Sequence, residues 1–207
     1  MKKNPQSVDS KVLKRIQGHS KGWVFTPSNF SDLGSRAAVA SALKRYKKAG
    51  TIRQIARGLY DIPRYSKLLG KIASPDTDAI ANALKGRDAI RLQPTGAYAA
   101  NILGLSTQVP AKIVFLTDGR TRKVHVGRRQ IVLKRTTPRN MATAGRISGT
   151  VIQALRWLGQ RHVDDTAIRI LQQRLPNDAK KQLLKDPRYA PAWIADIMRQ
   201  VGGDVGR

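Results

Sequence analysis

Ser35-Arg36-Ala37-Ala38-Val39-Ala40-Ser41-Ala42-Leu43-Lys44-Arg45-Tyr46-Lys47-Lys48-Ala49-Gly50-Thr51-Ile52-Arg53-Gln54-Ile55-Ala56-Arg57-Gly58-Leu59-Tyr60-Asp61 is the stretch on which the fold turns. Ser35 is placed to cap a helix running from Arg36 to about Lys48. Val39, Leu43 and Tyr46 recur at helical spacing and mark its buried side, helped by Ala38 and Ala42. Arg36, Ala40, Ser41, Lys44, Arg45 and Lys47 fall outward. Gly50 ends the helix. Thr51 to Ile55 alternates as a strand, Ala56-Arg57-Gly58 reads as a three-residue hairpin loop, and Leu59 to Pro63 returns.

Upstream, Ser7 to Ile16 predicts a first helix, with Val8, Val12, Leu13 and Ile16 on one face. Trp23-Val24-Phe25 reads as extended. Thr26-Pro27 resembles an N-cap followed by proline at the first helical position, opening a short helix to about Leu33. Gly34 gives a tight turn. Helix, short helix, turn, helix and basic hairpin is the order of a winged helix-turn-helix, whose last helix enters the major groove of DNA. On that reading Arg36, Ala40, Ser41, Lys44, Arg45 and Lys47 on the helix, with Arg53 and Arg57 on the hairpin, face DNA. Small residues permit close approach, and long cations reach bases or phosphates. The same fold also serves as a protein-interaction module.

Three segments carry a resemblance to a known family. Gly22-Trp23-Val24-Phe25-Thr26-Pro27, Leu33-Gly34-Ser35-Arg36-Ala37-Ala38-Val39, and Ala49-Gly50-Thr51-Ile52 through Ala56-Arg57-Gly58-Leu59-Tyr60-Asp61 look like the AbiEi-type antitoxins. These are transcriptional regulators of type IV toxin–antitoxin (abortive infection) systems. The resemblance implies a winged helix joined to an α/β domain. It further implies autorepression through double-stranded promoter DNA and neutralisation of a nucleotidyltransferase-like toxin without a stable complex. Cooperative self-association on DNA is a separate expectation, carried by two basic surfaces of the chain meeting one duplex and not by the resemblance.

The remainder predicts a second, less distinctive domain, with the division at 1–65 and 66–207. Tyr65 to Pro75 reads as a connector. Helices are expected at Asp76–Leu84, Thr95–Leu103, Arg146–Leu158, Asp164–Leu175, Asp178–Leu184 and Ala192–Val201. Ala111 to Thr117 is the clearest strand. Asp118-Gly119 signals a hairpin, with Arg122–Val126 returning and Arg128–Arg135 as a third strand. The fold class expected is therefore α/β: a winged helix-turn-helix, then a mixed α/β (or α+β) domain with a small, mostly antiparallel sheet. Trp157 and Trp193 read as core anchors, and Gly202 to Arg207 as a tail.

Charge bounds the partners. The chain of 207 residues has 39 Lys and Arg against 13 acidic residues, a formal charge of +26. Every acidic residue is Asp, so helix surfaces lack Glu to offset their cations. Such a field attracts polyanions. From Gly119 to Val163 no acidic residue occurs, while Arg120, Arg122, Lys123, Arg128, Arg129, Lys134, Arg135 and Arg139 fall in that span. They suggest a second nucleic-acid contact, with docking of an acidic partner as the rival. A stand-alone winged-helix regulator and an RNA-binding protein using the basic C-terminal surface are the alternatives for the whole chain.

Enzymatic chemistry has little to stand on. Asp76 and Asp78 form a spaced carboxylate pair, without the Gly-Ser that precedes such pairs in nucleotidyltransferases. There is no Cys, and His19, His125 and His162 lie far apart, so no metal, cofactor or catalytic set is expected. Met1-Lys2-Lys3-Asn4-Pro5 opens no apolar stretch, and no run approaches the roughly 20 apolar residues of a spanning helix. The reading is cytoplasmic, with no membrane partner.

Overall fold

The computed structural model describes residues 7–203. The Met1–Pro5 start and residues 204–207 of the expected tail lie outside the described residues; Gly202, at the head of that tail, is buried in the last helix. The architecture is α/β, and contacts divide it into two compact units, Met1–Ala89 and Ile90–Arg207. The sequence placed this division at 65/66. The difference arises because the expected connector is tied to the first unit. It pairs with itself, Arg53 donates to the Ala73 carbonyl at 3.2 Å, and the helix that follows packs on the first strand.

The first unit begins with α1 (Val8–Gln17), capped by the Ser7 hydroxyl, which accepts from Ser10 N–H. Strand β1 (Val24–Phe25) leads into a 3-10 helix (Pro27–Phe30) whose Thr26 and Asn29 form a reciprocal capping box. Then come α2 (Arg36–Lys48), β2 (Arg53–Ala56), β3 (Leu59–Asp61), β4 (Tyr65–Ser66), β5 (Lys71–Ile72) and α3 (Thr77–Asp88). The helices bury the stripe that 3.6-residue periodicity dictates. Val12 and Ile16 of α1 meet Val39, Ala42, Leu43 and Tyr46 of α2, with Phe25, Phe30, Ile52 and Ile62 filling the core. Gly34 lets the turn before α2 close onto α1, since a Cβ there would meet Val8 Cγ2 at 2.6 Å.

Strands β1, β3 and β2 form an antiparallel sheet in that order. The expected three-residue loop is a two-residue turn, Arg57-Gly58, because Ala56 pairs with Leu59 and the extra residue is absorbed as a bulge between Gln54 and Ala56. The expected connector instead contains the β4–β5 hairpin. Its strands are too short for alternation to be read.

The second unit contains β6 (Leu92–Thr95), α4 (Gly96–Ile102), β7 (Lys112–Thr117), β8 (Arg122–Val126), β9 (Arg129–Arg135), α5 (Pro138–Met141), α6 (Ile147–Leu158), α7 (Asp165–Arg174), α8 (Asn177–Lys185) and α9 (Ala192–Gly202). Its sheet has the order β6-β7-β9-β8. The outer pairs are antiparallel and the central β7–β9 pair is parallel. Helices α4, α6, α7, α8 and α9 share an apolar core built on Ala99, Val151, Leu155, Leu171, Leu183, Ile194 and Met198.

Two expectations fail here. Asp118-Gly119 does not fold β7 back onto β8; β9 lies between them. The dipeptide is used elsewhere. The Asp118 carboxylate accepts from the Arg91 backbone N–H at 2.9 Å and from its Nε at 2.8 Å. Gly119 lies outside the positive-φ glycines, whereas Gly127, which turns β8 into β9, has φ +59°. Primed hairpin turns need that left-handed geometry. Trp157 is not a core anchor either, being 46% exposed. It lies in the last turn of α6, beyond Ser148–Leu155, where the helix is buried on every side. Trp193 packs against the core.

Candidate nucleic-acid interface

The outward face of α2 follows from its buried one. With Val39, Ala42, Leu43 and Tyr46 inward, Arg36, Ala40, Lys44 and Lys48 fall at i, i+4 spacing on an exposed stripe, flanked by Ser41 and Lys47. Arg36 and Lys44 lie about 12 Å apart along the axis. Lys48 was missed by the sequence reading, although the same spacing contains it. Cations late in α2 suit the helix dipole, so Arg45, Lys47 and Lys48 have a local reason to be there. Arg36 does not. It occupies a first turn that holds no acidic residue, where a positive charge opposes the dipole at a cost of about 0.3–1 kcal/mol.

The structure sorts the expected cations into committed and uncommitted. Arg45 pairs with Asp9 of α1 at 2.6 Å, and the Tyr46 hydroxyl donates to the same carboxylate at 2.7 Å. Arg53 grips buried Asp61 on β3 with both ends of its guanidinium, at 3.0 and 2.5 Å. That hydrogen-bonded carboxylate raises the Arg53 pKa, against the opposing effect of burial. Lys47 donates to Gln54 Oε1 at 3.0 Å, tying the end of α2 to β2. Asp9 and Asp61 are the residues that sequence reasoning missed; nothing local marks an aspartate as the partner of a cation 36 or 8 positions away. Arg36, Lys44 and Arg57 are exposed and make no ion pair with a described residue. A cavity of ≈ 450 Å³ bordered by Thr26, Ser28, Ser31, Arg36, Gly58 and Arg87 sets the first turn of α2 beside the β2–β3 turn. Its wall carries two guanidiniums, and burial lowers the Arg87 pKa.

The basic stretch of the second unit is distributed differently. Arg120, Arg122, Lys123, Lys134, Arg135 and Arg139 gather where β7 and β9 end and β8 begins. Arg128 and Arg129 sit at the other end of β9, about 20 Å away at the rise of an extended strand. The sequence neighbours Arg122 and Lys123, and Lys134 and Arg135, project to opposite faces. Lys123 and Lys134, both exposed, share a face with exposed Lys112 and His125, the latter hydrogen-bonded to Gln130 at 3.0 Å, and with buried Val132. Arg122 and Arg135 belong to the face that carries Ile113, Phe115, Ile131 and Leu133, where Tyr98 of α4 packs edge-on against Phe115.

Of the spaced pair, the Asp76 carboxylate accepts from the Asp78 and Ala79 N–H groups, the use a helix N-cap makes of it. No group of three or more metal-ligating residues occurs among the described residues, and no helix among them is long and apolar enough to cross a membrane.

These features define an α/β protein with a helical, hairpin-bearing first unit. The chain belongs to the family of unknown function DUF6088, whose model matches residues 11–183. No curated protein matches it.

Proposed function

We propose that the first unit is a winged helix-turn-helix that docks on duplex DNA, and that the chain is an antitoxin and autorepressor of a type IV toxin–antitoxin operon. The observation that carries the DNA reading is the division of cations around α2. Arg45 and Arg53 are neutralised by Asp9 and Asp61, while Arg36, Lys44 and Arg57 are left exposed, Arg36 against the helix dipole. A polyanion offsets that cost. In this reading α2 enters the major groove, with Arg36 and Ser41 near base edges and Ala40 allowing close approach. Lys44 and Lys47 hold phosphates, and the Arg57 turn reaches the flanking backbone or minor groove. The order α1, 3-10 helix, α2 and antiparallel hairpin supports it. The antitoxin part rests on the Ala56-Arg57-Gly58-Leu59-Tyr60-Asp61 resemblance, and on a second unit with its own core, larger than a repressor tail requires.

The test is a titration of the duplex upstream of the chain's own gene and of an unrelated duplex, at several salt concentrations. Tighter binding of the former is expected, with log affinity falling linearly in log salt as counterions are released. Equal affinity for both at every salt removes specific repression. A fragment of residues 1–89 should bind that duplex but not rescue cells expressing a nucleotidyltransferase-like toxin encoded beside it. Rescue by the fragment removes the antitoxin role of the second unit.

A further inference from the structure

The β4–β5 hairpin presents the most exposed apolar cluster among the described residues. Leu68 is 94% exposed, Tyr65 63%, Leu69 58% and Ile72 49%. Tyr65 and Ile72 are a cross-strand pair on one face, and Leu68-Leu69 form the tip. The tip is braced. The Ser66 hydroxyl accepts from Leu69 N–H at 3.3 Å, and Gly70 N–H donates to the Lys67 carbonyl at 3.4 Å. The base is closed by Ala73 N–H on the Arg64 carbonyl at 2.8 Å, and anchored by Arg53 on the Ala73 carbonyl at 3.2 Å. Between Asp61 and Asp76 the charged residues are Arg64, Lys67 and Lys71, all cations.

The position of this hairpin is informative. Arg53 opens β2, which follows α2 after residues 49–52 alone, so the hairpin leaves the unit at the C-terminal end of α2. The Arg57-Gly58 turn lies beside the N-terminal end. Two hairpins therefore bracket a helix about 20 Å long. We propose, on the DNA-binding reading above, that β4–β5 is a second DNA arm: Leu68 and Leu69 wedge between base pairs from the minor groove, and Arg64, Lys67 and Lys71 hold the flanking phosphates. A helix in a major groove has a minor groove on either side of it. Apolar side chains on basic supports unstack base steps there and kink the duplex. Charge selects this occupant over a second copy of the chain, whose identical tip brings the same three cations into mutual repulsion.

The experiment uses the full chain and the upstream duplex, labelled at both ends for energy transfer and carrying 2-aminopurine at successive adenine positions. Wild type is expected to shorten the end-to-end distance and raise 2-aminopurine fluorescence at one or two steps. The Leu68→Ser, Leu69→Ser variant, altered where the side chains are solvent-exposed and checked by circular dichroism, should bind about tenfold more weakly and lose both signals at saturation. Arg36→Ala with Lys44→Ala should instead lose binding. Wild type that saturates the duplex with neither signal, or a tip variant that keeps both, overturns the wedge and leaves the DNA reading standing. Unchanged DNA binding by the tip variant, with loss of a dimer in sedimentation or of binding to anionic vesicles, also overturns it. Failure of wild type to bind any duplex sinks the DNA reading itself, and the wedge with it.

Discussion

Helix α2 and strands β8 and β9 carry similar densities of positive charge in sequence and opposite arrangements in space. On α2 the residues that share a face are four apart, so Arg36, Lys44 and Lys48 line up with small Ala40 between them. On β8 and β9 the cations come as adjacent pairs, Arg122-Lys123 and Lys134-Arg135, and a period of two sends the members of each pair to opposite faces. A run of basic residues is therefore no measure of a basic surface. What matters is whether its spacing matches the period of the element it falls in, and whether a buried aspartate has already claimed the charge.

The largest effects should come from that second distinction. Arg53→Ala leaves Asp61 buried without its partner and should cost about 3 kcal/mol of stability in chemical denaturation. Lys44→Ala should stay within about 0.5 kcal/mol. Equal losses would erase the division into committed and uncommitted cations. In the second unit Asp186, 1% exposed, accepts from Arg146 at 2.7 Å, from Gln182 at 3.0 Å and from the Ser148 hydroxyl. It joins the start of α6 to the end of α8. Asp186→Ala should cost about 3–5 kcal/mol by the same measure; a loss below 1 kcal/mol would show that the cluster does not hold the unit together.

Lys123→Glu with Lys134→Glu alters two exposed side chains on one face and should leave stability nearly unchanged. If that face meets nucleic acid, affinity should fall several-fold on every duplex with a shallower salt slope. Unchanged DNA affinity with impaired toxin neutralisation would assign the face to the antitoxin role.

Most of the first unit was legible because its signals are local. Ser35 as cap, the Val39-Leu43-Tyr46 stripe and the presence of a hairpin around Arg57-Gly58 are each decided within one or two helical turns or a hairpin, although the loop read one residue too long. The ties that set which cations are free are not local. Asp9 lies on a different helix from Arg45, and Asp61 reads in sequence as one more residue of a return strand. The sheet order was illegible for a related reason. Asp118-Gly119 carries a turn signature, yet its carboxylate is taken by Arg91, from a segment that sequence proximity does not connect to it. The Arg91 hydrogen bonds also hold the Asp118 carboxyl below the ordinary carboxylate range.

A smaller effect concerns pH. The Arg15 guanidinium, hydrogen-bonded to Asp32 at 2.6 Å, lowers that carboxyl from 3.8 to about 2. Because the folded value lies below the ordinary one, the stabilisation is fully present above about pH 4. It fades as pH falls towards about 2. The stability difference between wild type and Asp32→Asn should be flat above that window and shrink within it. A difference that grows on acidification would contradict the pairing.

On the proposed DNA-binding reading, the face of α2 and the adjoining turn, not total charge, set affinity. Two variants that each remove three positive charges test it on one duplex at one salt concentration. Arg36→Ala, Lys44→Ala, Arg57→Ala should weaken binding by about a hundredfold or more. Arg128→Ala, Lys134→Ala, Arg135→Ala should stay within about tenfold of wild type. Equal losses in the two variants, or a larger loss in the second, would contradict it.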